Sequence, residues 1–140
     1  MSAPQDRGAT EHLTEDDLAA LIDAELGGPQ AIRDAGLLAA ALARPQSSAF
    51  GEPAYATLEE QAAALLHSLV TSHPLVDGNK RIGLAAALLL LALNGVRLDA
   101  SDDDLFDLVM SVASGELREV DAIAAALRGW AVPLGPGDPL

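Results

Sequence analysis

Between two strongly apolar stretches of the chain stands His73-Pro74-Leu75-Val76-Asp77-Gly78-Asn79-Lys80-Arg81, where an imidazole, a carboxylate, an amide, two cations and a glycine share nine positions. Lys80 is the only lysine in the protein, and it stands beside Arg81 in a chain with 8 cationic residues. Two scarce positive charges thus fall where a helix begins, a place that already carries partial positive charge and unpaired N–H groups. A bound phosphate would answer both. Gly78 permits a positive φ and lets an oxygen approach the amides closely. His73, with an ordinary pKa of about 6.5, can accept a hydroxyl proton at neutral pH. Asp77 is an oxygen ligand suited to the Mg²⁺ that accompanies nucleotide phosphates. Asn79 can hydrogen-bond a phosphate oxygen or lock the loop. Base, metal ligand and anion site on one loop make the minimum set for moving a group to an alcohol. Asp77-Gly78-Asn79 alone would read as a turn and helix cap, but the full set exceeds what a connector needs.

The composition limits the partners such a site can serve. With 21 acidic against 8 basic residues the formal charge is -13, which opposes broad binding to nucleic acid or to an anionic membrane, so any phosphate must be held locally. There is no cysteine, which excludes disulfides and thiolate metal sites and fits a cytoplasmic setting. The opening MSAPQDRGATEH lacks the basic start and apolar run of a secretory signal. The longest apolar run, Ile82 to Leu93, would span roughly 18 Å as a helix, too short for a bilayer core, and reads as a buried central helix.

The elements that must position the loop are helical. At 140 residues the chain is about one domain. Residues 1–12 and 131–140 read as mobile ends around a single domain over 13–130. Thr14 and the acids behind it predict a helix through Leu18, Leu21, Ile22 and Leu26 that stops at Gly27-Gly28-Pro29. Asp34 starts a second, ending near Pro45. Pro45 to Ala56 has no helical period and reads as a loop or short hairpin. Thr57, with Glu60 as capping-box partner, starts a third helix that ends around Ser72-His73-Pro74. Gly78-Asn79 opens the fourth, which closes at Asn94-Gly95. Ser101 with Asp104 begins a fifth, and Val120 to Leu127 forms a sixth. Only Val96 to Leu98 suggests extended structure. Asp102, Asp103 and Asp104 read as first-turn acids and not as metal ligands, and His67, inside the third helix, reads as a packing residue.

The segment HPLVDGNKR resembles the signature loop of the Fic/Doc superfamily, HxFx(D/E)(G/A)N(G/K)R, and the likeness runs from about Leu13 to Leu127, including the early Gly-Gly-Pro turn and the ASGEL segment at Ala113 to Leu117. It implies an all-α fold, a compact six-helix bundle of Fic/Doc type with a short flap before the central helices. It also implies that His73 is the base, Asp77 the Mg²⁺ ligand, and Gly78, Asn79, Lys80 and Arg81 the contacts to ATP. AMP-transferring members usually have glycine at the position of Lys80 and a second arginine at the position of Leu84. Lysine and leucine resemble instead the Doc (death on curing) toxin branch. Doc-like proteins phosphorylate a threonine of translation elongation factor Tu and are paired with a Phd-like antitoxin. The resemblance therefore implies an ATP-dependent Ser/Thr protein kinase toxin, with AMP transfer or a degenerate partner-binding module as alternatives. Leu75 departs from the usual phenylalanine anchor, no (S/T)xxxE(G/N) inhibitory motif is present, and Arg44, Gln46, Ser47 and Ser48 fall where the superfamily places its flap.

Overall fold

The computed structural model describes residues 9–28 and 31–138; Pro29 of the first helix stop, and residues 1–8 and 139–140 of the two ends, lie outside the described residues. Six helices follow the expected order: α1 Glu15–Leu26, α2 Ala35–Ala43, α3 Leu58–Ser72, α4 Asn79–Leu93, α5 Asp102–Ser114 and α6 Val120–Trp130. Local chemistry sets their starts. Thr14, Thr57 and Ser101 each accept the N–H three residues on, while Asp17, Glu60 and Asp104 return a carboxylate to the cap backbone, closing three capping boxes. Asp34 caps α2 through Leu37 N–H. Gly27 and Gly115 end α1 and α5 in the left-handed conformation that glycine adopts without a Cβ penalty.

α3 forms the centre. Leu58, Ala62, Ala63, Leu65, Leu66, Leu69 and Val70 are buried along it, and Ile82, Ala86, Ala87, Leu90 and Leu91 of α4 and Ile123, Ala124 and Leu127 of α6 complete the core. α3 and α4 approach closely because a glycine stands at their contact: a Cβ on Gly83 would lie 2.7 Å from Val70 Cγ2.

The expected loop before α3 is a 3-10 turn, Arg44–Gln46, followed by a hairpin of β1 Ser48–Ala49 and β2 Glu52–Pro53. Its turn residues Phe50 and Gly51 both have positive φ, 55° and 79°, as a two-residue type I′ turn requires. The expected extended segment is β3, Val96–Leu98, and it has a partner that the sequence pattern does not reveal. β4, Ala131–Pro133, pairs with it antiparallel, so the chain beyond α6 begins as a strand. At the other end, Glu11 exchanges two hydrogen bonds with the side chain of Asn94. α4 is central as expected, with one side in the core, while Leu84, Ala85, Leu88 and Leu89 are half-buried on a face that α1 and α5 flank without closing. No helix among the described residues is long and apolar enough to cross a membrane.

Candidate active site

The loop between α3 and α4 joins the carbonyl end of one helix to the amide end of the next, and a different device holds each side. α3 ends on His73, whose backbone is left-handed at φ 53° and ψ 57°. His73 and Phe50 are the two non-glycine residues of positive φ among the described residues. The segment before α2 lies against this turn. Arg33 donates from Nε to the His73 carbonyl and from Nη2 to the Ser72 carbonyl at 2.8 Å. The N–H groups of Arg33 and Asp34 both reach the Pro74 carbonyl, at 2.8 and 3.0 Å, and Val76 N–H reaches the Ala31 carbonyl at 3.2 Å.

Beyond the turn, Leu75 is the loop's apolar anchor, 1% exposed. The side chain of Asn79 closes on it: Oδ1 accepts from Leu75 N–H at 2.9 Å, and Nδ2 donates to the Leu75 carbonyl at 3.0 Å. Of the two roles the sequence leaves open for Asn79, its buried amide performs the loop lock.

α4 opens differently from α1, α2, α3 and α5. Its N-cap is Gly78, at φ 86°, and no side chain caps it. The first-turn amides, which have no intrahelical acceptor in any helix, thus have no capping side chain either, and the positive end of the helix is left open to an anion. A Cβ on Gly78 would stand 2.8 Å from Leu26 Cδ1, so both conformation and space require glycine there. Asp77 turns one carboxylate oxygen, Oδ1, to Gly78 N–H at 2.8 Å, which steadies the turn. Among the described residues no group of three His, Cys, Asp or Glu could hold a metal ion. A cation here would rely on one protein carboxylate and on ligand oxygens, the pattern usual for Mg²⁺ with nucleotides.

His73, Asp77, Lys80 and Arg81 are all exposed. Arg81 is not unpaired: its Nε lies 3.6 Å from Glu25 Oε1 of α1, a solvated contact of small worth that an anion could displace. Lys80 and Arg81 also stand at the edge of a cavity of about 900 Å³ between α1, α4 and α5, whose wall is apolar through Leu84, Leu88 and Phe106. Neither His73 nor Asp77 lines that cavity.

The model of the Fic/DOC family matches residues 12–91. The toxin Doc of Mycolicibacterium smegmatis (strain ATCC 700084 / mc(2)155) is 45% identical over 130 residues, covering 91% of this chain and 99% of the relative. The protein kinase doc of Escherichia phage P1 is 35% identical over 120 residues, covering 84% of this chain and 93% of its own length.

The chain belongs to the Fic/DOC family.

Within this Fic/DOC domain the motif residues divide by function of the fold. Leu75 and Asn79 face inward and hold the loop, Gly78 shapes its exit, and His73, Asp77, Lys80 and Arg81 remain at the surface. Leu84, where AMP-transferring members usually have arginine, is half-buried in the cavity wall.

Two polar devices of this Fic/DOC domain carry no sequence signal. The first is the Arg33 fork. The second ties the hairpin to α3: Arg44 donates from Nη1 to His67 Nδ1 and Ser68 Oγ, both at 2.9 Å, and from Nε to Tyr55 Oη at 2.9 Å. Gln61 Nε2 adds a bond to the Tyr55 carbonyl at 3.0 Å. His67 is thus a hydrogen-bonded link and not merely packed. Burial, and then the neighbouring Arg44 guanidinium, hold its pKa below the ordinary 6.5, against the opposing pull of Glu119.

Proposed function

We propose that this protein is a Doc-type toxin that transfers the terminal phosphate of ATP to a threonine or serine hydroxyl of a target protein, a translation factor of the elongation factor Tu class, and thereby stops protein synthesis. One observation carries the reading: an uncapped helix start, flanked by the chain's only lysine and by Arg81, directly follows a loop that presents an exposed imidazole and an exposed carboxylate. The names of the two relatives, a toxin and a protein kinase, support the same assignment. Lys80 and Leu84 favour the orientation that delivers the terminal phosphate over one that delivers AMP.

In this reading the amides of the first turn of α4, with Lys80 and Arg81, hold the ATP phosphates and stabilise charge on the transferred group. His73 takes the proton of the acceptor hydroxyl as its oxygen bonds to the γ-phosphorus and the bond to ADP breaks. Asp77 would hold Mg²⁺ through the carboxylate oxygen not engaged with Gly78, and the ion supplies neutralisation of the phosphate charge. Asn79 and Gly78 keep the loop in shape. The protein would act in the cytoplasm under the restraint of a Phd-like antitoxin.

Incubation with a cell extract and either γ- or α-labelled ATP tests the proposal. Label from γ-ATP on a protein, lost in His73→Ala while the unfolding transition is retained, is the expected result. Label from α-ATP would make the protein an AMP-transferase, and no label from either would leave a binding module.

A further inference from the structure

His73 occupies a backbone conformation that is uncommon for any residue with a side chain. A β-carbon in the left-handed region crowds the following carbonyl, and the next residue is Pro74, whose ring further disfavours helical backbone in the residue before it. A helix that ends this way normally ends on glycine, as α1 and α5 do at Gly27 and Gly115. The turn must therefore be held from outside, and among the described residues every hydrogen bond to the carbonyls of Ser72, His73 and Pro74 from beyond α3 comes from Arg33 and Asp34.

Arg33 is suited to this task by its shape. Its Nε and Nη2, two donors set apart in one rigid plane, reach two successive carbonyls at once, whereas the three donors of an ammonium share a single nitrogen and fix no such spacing. Its charge also lies at the carbonyl end of α3, where a cation is favourable. We infer that Arg33 is the positioning residue of His73, its fork fixing the left-handed turn that aims the imidazole. Arg33 would touch neither substrate nor nucleotide in this role. The inference rests on the reading of His73 as the base, but its first readout does not depend on that reading.

The protein has three histidines, His12, His67 and His73, so ring ¹³C-labelled histidine gives three resolvable signals, assigned by His→Gln exchange at each site. In the parent all three are expected to be single and narrow. In Arg33→Gln the His73 signal is expected to broaden or split, while those of His12 and His67 stay in place and the unfolding midpoint marks an intact fold. An unchanged His73 signal would overturn the inference. The second readout is kinetic: Arg33→Gln should lower kcat by about 100-fold, the scale of a misplacement near 1 Å, with KM for ATP unchanged. Arg33→Lys, which keeps the charge and loses the fork, should recover only a small part of that. Full activity in Arg33→Lys, or a raised KM with unchanged kcat, would make Arg33 a charge contact and overturn its positioning role. If instead the His73 signal responds as expected but His73→Ala transfers phosphate normally, the base assignment fails and the structural role of Arg33 stands.

Discussion

Replacing Asn79 separates the two roles that its position in the loop allows. Asn79→Ala removes the acceptor of Leu75 N–H and the donor to the Leu75 carbonyl, leaving both peptide groups of a residue that is 1% exposed without partners. Each such group costs about 1–3 kcal/mol when stranded. Val76 and Asp77 are exposed next door, so water can reach part of the vacated space, which places the sum nearer the lower end, about 2–3 kcal/mol. For a chain of this size that is a fall in Tm of roughly 6–15 °C. Urea unfolding followed by far-ultraviolet circular dichroism should show a lower midpoint with an unchanged slope. Asn79→Asp keeps the shape and the bond from Leu75 N–H but sets a carboxylate oxygen against the Leu75 carbonyl. With one of the two bonds lost, its unfolding midpoint should also fall below the parent's at neutral pH. A cost below about 0.5 kcal/mol in Asn79→Ala, with nucleotide affinity lost, would refute the lock and give the amide to the phosphate instead.

Two further outcomes test the scaffold. Gly83→Ala should destabilise by about 1–3 kcal/mol, because its Cβ would press on Val70 Cγ2 in the α3–α4 contact; Gly83→Ala with Val70→Ala should recover part of the loss, and a neutral single exchange would show that the helices can part freely. His67 accepts from Arg44 only when Nδ1 is unprotonated, and its pKa is held below 6.5 by burial and by Arg44. Its contribution should therefore be complete above pH 6.5 and be lost as the pH falls through its folded-state pKa. The stability difference between the parent and His67→Gln, followed by denaturant titration from pH 7.5 to 5, should narrow on acidification, and a constant difference would refute the assignment.

The helices were legible because their signals are local. Thr14 with Asp17, Thr57 with Glu60 and Ser101 with Asp104 are capping pairs three residues apart, and the apolar period between caps identifies the buried face. The candidate set in the loop was legible for the same reason, all nine residues being contiguous. What escaped depends on contacts between distant parts of the chain. β4 is three residues long and forms a strand only because β3 offers it a ladder. The open face of α4 follows from how α1 and α5 flank it, which no periodicity within α4 encodes. Arg33 stands 40 residues before the carbonyl it holds, and Arg44 stands 23 before His67, so neither partner can be read from spacing. The inward turn of Asn79 is intermediate: its residue type permitted a lock, but only the burial of Leu75 requires one.

The two helix ends at this loop have opposite polarity, and their treatment is opposite too. The last carbonyls of α3 carry partial negative charge, and left bare they would repel an anion approaching the neighbouring amides of α4. Arg33 covers that negative end with a guanidinium, while the positive end of α4 has only Gly78 before it and stays open. Elsewhere α1, α2, α3 and α5 fill their own amide ends with Thr14, Asp34, Thr57 and Ser101, and α6, likewise without a side-chain cap, begins on the acidic Glu119. A helix start costs stability when left uncapped, about 1 kcal/mol for a lost side-chain cap, and α4 bears that cost beside the two cations that increase its positive field. In a chain of formal charge -13, this open positive end beside Lys80 and Arg81 is what the proposed function requires: a place where a polyanion would be held locally while the remaining surface repels it.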